Sequence, residues 1–230
     1  MKQTPIHDNH NPDLLAMIPK SLKRIVEVGC SSGALAREYK KINPGCEYVG
    51  VEIDEDYAEA ARRYCDQVLV GNIETMSDYT FANLLPNDCW IFGDVLEHLY
   101  NPWDVLVRIR THMTKDNCIV ACIPNMQHWS VQVKLMSGAL FYQDSGLFDR
   151  THIRWFTRAT IIDMFLKAGF VIERGLPRIF DNAPGAKVIE AIRASAVSLG
   201  LDPTAAVSDS LPLQYVVMAM LAPSLQPATR

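Results

Sequence analysis

The stretch D-V-L-E-H places Asp94, Glu97 and His98 close together, and i to i+3 and i+4 spacing brings side chains to one face of a helical turn. Another histidine, His152, follows in D-R-T-H-I-R-W-F. Two carboxylates and two imidazoles suit a divalent ion: the oxygen donors favour magnesium or manganese, and the imidazoles admit iron, nickel or zinc. Without a metal, His152 or His128 is a candidate general base, because histidine titrates near neutral pH. His152 is preferred for its neighbours Arg150 and Arg154, which suit a carboxylate or phosphate on a bound molecule. Trp129, Tyr142, Trp155 and Phe156 offer an aromatic wall for a ring or sugar. Each reading has a plainer alternative. Glu97 complements a helix N-terminus, His98 and the aromatics fill core, Asp94 only borders a cofactor, and the arginines form a solvated or ion-paired face.

A possible cradle lies upstream in V-E-V-G-C-S-S-G-A-L-A-R-E-Y, residues 26–39, where an apolar run passes through two glycines into a helical pattern. Such a turn offers unpaired backbone N–H groups and the positive end of a helix dipole, and glycine lets a ligand approach without a Cβ in the way. Taken alone, Gly29 and Gly33 equally well serve a tight strand-to-helix turn. The second apolar run ends in V-G-V-E-I-D, so Glu52 sits at its tip, where an acid accepts hydrogen bonds from ribose hydroxyls. A dinucleotide needs G-x-G-x-x-G, and the corresponding Gly29, Ser31 and Ala34 fit it poorly. A ligand without phosphates gains instead from Glu27, a carboxylate before the turn.

These residues need elements to hold them. R-I-V-E-V-G (24–29), C-E-Y-V-G-V-E-I (46–53), Q-V-L-V-G-N (67–72), D-C-W-I-F-G-D-V (88–95) and N-C-I-V-A-C-I-P (117–124) read as strands. Helical patterns at 34–42, 57–65 and 101–113 alternate with them, the last opened by Pro102. The alternation predicts a mostly parallel sheet with helices on both faces. A capped helix at 157–170, a strand at 171–176, a helix at 185–200 and a strand at 213–221 complete the pattern, and the last two strands are expected to be antiparallel neighbours at a sheet edge. Segment 125–156 falls after the fifth strand, where loops line the ligand crevice of open α/β sheets. Segment 177–212 reads as a lid or dimer element, or as a helix packed on the sheet. The whole, 1–230, is expected to be one domain with an N-terminal capping helix at about 11–19.

The motifs in this order resemble those of class I S-adenosylmethionine-dependent methyltransferases, over residues from about 22 to 175. Their E/D-x-G-x-G-x-G signature is matched by Glu27, Gly29, Ser31 and Gly33, with serine in place of the middle glycine. Glu52 matches the ribose-binding acid, and G-N-I-E (71–74) matches the adenine-side G-D-x-E, with Asn72 as acceptor and Ile73 against the ring. F-G-D-V-L-E-H-L (92–99) matches the segment beside the methionine part, in the style of ubiquinone-biosynthesis small-molecule O-methyltransferases. The resemblance implies a Rossmann-like fold with a seven-stranded, mostly parallel sheet and an antiparallel last strand. It implies S-adenosylmethionine as cofactor, lined by Glu27, Gly29, Cys30, Ser31, Gly33, Glu52, Ile53, Asn72, Ile73, Asp94 and Val95. An E-x-x-E-H motif with a distant histidine holds a metal in ubiquinone-pathway and small-RNA methyltransferases, and here Asp94 replaces its first glutamate.

Composition narrows the options. The chain has 230 residues, 49% of them hydrophobic, and a formal charge of −4, a balance that disfavours general nucleic-acid binding. Its longest C-terminal apolar run, 215–222, is far below the roughly 20 residues of a membrane span. Six scattered cysteines without a C-x-x-C pair suit buried thiols in a reducing cytoplasm. The expected function is methyl transfer to oxygen, or nitrogen, of a small-molecule metabolite by a protein that forms a homodimer in one reading. RNA methylation and a non-catalytic S-adenosylmethionine-binding regulator are the alternatives.

Overall fold

Seven runs rich in β-branched and aromatic residues become strands: β1 (Arg24–Val28), β2 (Glu47–Glu52), β3 (Gln67–Val70), β4 (Cys89–Gly93), β5 (Cys118–Pro124), β6 (Phe170–Arg178) and β7 (Gln214–Leu221). In the computed structural model, which describes residues 8–223, they form one sheet in the order β3-β2-β1-β4-β5-β7-β6. Neighbours among β1 to β5 pair in parallel, whereas β7 runs antiparallel to both β5 and β6. Residues 1–7 and 224–230 of the expected 1–230 unit lie outside the described residues.

Successive strand residues face opposite ways, so Val26 and Val28 enter one apolar layer while Ile25 enters the other. The first layer is closed by α4 (Asp78–Ala82), α5 (Pro102–Arg110) and α7 (Arg158–Lys167) through Phe81, Ile109 and Phe165. The second is closed by α1 (Pro12–Met17), α2 (Ala34–Ile42) and α3 (Glu55–Ala61) through Leu14, Tyr39 and Ala61. Among the described residues, no helix is long and apolar enough to cross a membrane.

Several boundaries differ from the sequence pattern for identifiable reasons. Asp54 caps α3 by accepting from the N–H groups of Asp56 and Tyr57, which starts the helix at Glu55 rather than 57. Segment 125–156 contains a helix, α6 (Trp129–Ser137), begun by His128 and ended by Gly138 at φ +69°. Segment 177–212 holds the expected helix as α8 (Ala186–Ser198) and a second, α9 (Pro203–Ser210), which Asp202 caps. Leu96–His98 forms a single 3₁₀ turn. Asp94 lies ahead of that turn at φ +57°, so the helical spacing assumed for Asp94, Glu97 and His98 does not hold.

The middle of β2 must stay bare. A Cβ on Gly50 would fall 2.5 Å from Cys30 Sγ and 3.4 Å from Cys65 Sγ. Gly50→Ala is therefore expected to lower stability by about 1–3 kcal/mol through overpacking, and Cys30→Ala in the same chain to recover part of the loss. Urea denaturation of the two single variants and the double variant measures the coupling, and strictly additive changes would contradict it.

Candidate active site

The C-terminal ends of β1, β2 and β4 open into a cavity of about 680 Å³ at the point where the sheet order reverses beside β1. The β1–α2 turn forms its floor. Gly29 and Gly33 have φ of +71° and +76°, and Ser31 takes the left-handed region at +47°. Only Gly29 fits against Val95 of the next strand end, because a Cβ there would lie 2.5 Å from Val95 Cγ2. The turn is fixed from below by Glu52. Its Oε2 accepts from the Ser31 N–H at 2.8 Å, and its Oε1 accepts from the N–H groups of Ile53 at 2.8 Å and Asp54 at 3.1 Å. At the start of α2, Gly33 provides no side-chain cap, which leaves the helix N-terminus open.

Glu27 is 5% exposed and accepts a hydrogen bond from the Tyr48 hydroxyl at 2.9 Å. Burial, reinforced by the nearby Glu52 charge, pushes its carboxyl up to about 8 against the pull of that hydroxyl. Asn72 Oδ1 accepts from the Glu74 N–H at 2.8 Å, and Ile73 is buried against the cavity. Of the residues expected around the cofactor, Gly33 does not line the cavity: its α-carbon faces α3, where a Cβ would stand 3.1 Å from the Ala61 α-carbon. The other ten do.

On the far side, Glu97, His98 and His152 converge, with one ligand atom of each within 4.8 Å of the others. The Glu97 carboxylate is fully buried and neither oxygen has a hydrogen-bond partner; His152 Nε2 stands 3.8 Å from Oε1. Burial, and next the charge of Asp94, hold this carboxyl well above the usual range. His98 Nδ1 meets the Thr151 carbonyl at 3.1 Å, and His152 Nδ1 meets the Leu147 carbonyl at 3.2 Å. A carbonyl only accepts, so both Nδ1 atoms carry hydrogen and both Nε2 atoms present a lone pair. Burial keeps both imidazoles below their ordinary pKa. The loop carrying His152 is stapled in place by the N–H groups of Ile153 and Arg154, which donate to the Glu97 carbonyl.

Asp94 is not in this cluster. Its strained backbone turns the carboxylate to the Gln214 amide, which donates to it. His128 faces away from the cavity as the α6 cap, its Nδ1 at 2.8 Å from the Ser130 hydroxyl. Trp129 donates to Asn182 at 2.7 Å and packs against Gly185. Tyr142 is 65% exposed and Trp155 packs on Phe148, both off the cavity wall. Arg150 pairs with Asp144 at 2.6 Å, and Arg154 donates to the Tyr100 carbonyl beside the Trp103 ring. Neither arginine lines the cavity, so the expected anion contact is absent.

Asn9 and His10 of the arm before α1, and Gln214, line the cavity without having been singled out from the sequence, as do Asn11 of the expected capping helix and Ser145, Gly146, Leu147 and Asp149 within the expected crevice segment 125–156. Asn11 carried a signal, as a cap before Pro12. Asp13 of α1 pairs with Arg178 at 2.7 Å, and Arg178 donates to Gln214, which joins the arm to Asp94.

A sheet of this order with an acid-anchored turn at its switch point is the architecture of the class I S-adenosylmethionine-dependent methyltransferases, and the buried cradle fits a nucleoside that approaches bare backbone. The chain belongs to the methyltransferase domain family, whose model matches residues 8–174. No curated protein matches it. Among solved structures it resembles an S-adenosylmethionine-dependent methyltransferase from Mesorhizobium loti at 16% identity and a TM-score of 0.57, covering 91% of this chain and 96% of that one. A possible histamine N-methyltransferase from Thermotoga maritima shares 17% identity at a TM-score of 0.58, covering 90% and 84%. Mitomycin 7-O-methyltransferase shares 18% at 0.56, covering 91% of this chain and 52% of that one, so the chain spans about half its length. At these identities the likeness is one of fold.

Two outcomes are expected. Glu52→Gln puts an amide NH₂ against backbone donors and should weaken S-adenosylhomocysteine binding roughly 10- to 100-fold by calorimetry. Glu27 titrates near 4.5 unfolded and about 8 folded, so stability should fall as pH rises through that window and level off above it. Glu27→Gln should flatten part of the slope in denaturation midpoints, and an unchanged slope would refute the assignment.

Proposed function

We propose that the protein methylates a hydroxyl oxygen of a small-molecule acceptor held between the β1–α2 turn and the Glu97, His98 and His152 cluster. The observation that carries this reading is the buried Glu97 carboxylate, whose oxygens have no partner and which faces two lone-pair imidazole nitrogens. A divalent ion fits this donor set. Glu97, His98 and His152 would hold it, and it would lower the pKa of an acceptor hydroxyl. When bound, S-adenosylmethionine supplies a methyl group already activated on a sulfonium sulfur. The turn, Glu52 and Asn72 bind and orient the nucleoside. The arm and the loop around His152 exclude water, and alignment of this kind is worth roughly 7–11 kcal/mol of barrier. Without an ion, His152 Nε2 is positioned to accept the hydroxyl proton, a step worth about 10²- to 10⁴-fold in rate.

Related folds support a small acceptor: mitomycin 7-O-methyltransferase, an O-methyltransferase from neocarzinostatin biosynthesis, and magnesium protoporphyrin IX methyltransferase. Labelled methyl transfer into fractionated metabolites tests the reaction. Chelator should abolish transfer and a divalent cation restore it; full activity in excess chelator would eliminate the ion and leave His152 as base. His152→Ala should lower turnover far more than S-adenosylhomocysteine affinity, and equal loss of both would make the residue structural.

A further inference from the structure

The cavity wall carries a strong charge bias. Glu27, Glu52, Glu74, Asp94, Glu97 and Asp149 line it, and among the described residues no lysine or arginine does. Glu52 and Asp149 are each 3% exposed, so water screens their charges little. The arginines nearest in sequence are committed elsewhere. Arg150 pairs with Asp144 at the surface, and Arg154 donates to the Tyr100 carbonyl. Arg178 stands behind the wall, 13% exposed, between Asp13 and Gln214.

Bound S-adenosylmethionine adds two cationic groups and one carboxylate, a single net positive charge. The acids outnumber that charge. They remain in excess with Glu27 protonated and with a divalent ion on Glu97 and the histidines.

We infer that the acceptor carries no anionic group: it is a neutral or cationic hydroxyl compound, and the acidic wall turns away carboxylated and phosphorylated molecules. The inference rests on the proposed methyl transfer to a small molecule. An anion entering this space meets like charge in a medium of reduced dielectric, with no lysine or arginine of the described residues on the wall to receive it. The expected discrimination is about a hundredfold or more. Two of the three histidines of the wall are engaged within the protein: His98 Nδ1 meets the Thr151 carbonyl, His152 Nδ1 meets the Leu147 carbonyl, and His152 Nε2 faces Glu97.

The test divides a small-molecule extract of the cells that encode the protein on a strong anion exchanger at neutral pH. Unretained and retained pools are each incubated with the full chain, a divalent cation and methyl-labelled S-adenosylmethionine. Label should enter the unretained pool, with the retained pool at background. Comparable labelling of the retained pool would overturn the inference while leaving small-molecule methyl transfer standing. No label in either pool, from protein that binds S-adenosylhomocysteine by calorimetry, would overturn the proposed function and this inference with it. Splitting the extract before the reaction matters, since methylation of a carboxylate would itself remove the charge being scored.

Discussion

One carboxylate accepts hydrogen bonds from three backbone N–H groups on two different loops, and the donor half of the molecule is arranged around it. Glu52 ties Ser31 of the β1–α2 turn to Ile53 and Asp54 of the β2–α3 turn. Buried backbone donors need partners, and supplying them from a single side chain makes two turns from adjacent strands behave as one. The same side chain then remains at the cavity wall with one lone pair to spare, on Oε2. This also accounts for serine at the middle position of the signature. What the turn requires there is an N–H aimed at Glu52 and a tolerance of φ +47°, a strained conformation for serine that the hydrogen bond offsets.

Most of the sheet was legible because its signals are local. Strand runs of four to nine residues, the Pro102 start of α5 and the Thr157 cap of α7 each act within a few positions, and the pairing of β6 with β7 followed from one long insertion between two apolar runs. The donor side was legible for the same reason: Glu27, Gly29 and Glu52 sit at or near the ends of β1 and β2, which are neighbours both in sequence and in the sheet. Legibility failed where side chains depend on distant partners. Trp129 looked free to meet a ligand until Asn182 and Gly185, more than fifty residues away, took its ring. Asp94 looked like a helical neighbour of Glu97, but a residue at φ +57° before a 3₁₀ turn points elsewhere, and no spacing rule reveals a backbone angle. Gln214 and His10 were invisible because neither type nor spacing marks them.

The two halves of the cavity are built on different principles. Donor-side contacts come from turns whose lengths the sheet dictates. The opposite wall comes from the arm before α1, the segment between β5 and α7, and the first residue of β7. These pieces meet through a few tethers, chiefly the Glu97 carbonyl with the His152 loop and Asp13 with Arg178. Among the residues these pieces give the cavity only Asp149 is acidic; the other acids of the cavity, Glu27, Glu52, Glu74, Asp94 and Glu97, sit in or just after β1 to β4.

The six thiols have a practical consequence. All are buried, Cys30 under the β1–α2 turn beside Cys65, and Cys89 paired in register with Cys118 on adjoining strands. An aromatic disulfide reagent in solution would react only during transient openings, so its rate at each sulfur is a stopwatch on a particular region. Cys30 and Cys65 would time the loosening of the nucleoside cradle, while Cys89 and Cys118 would time separation of the central strands, with no label engineered into the chain.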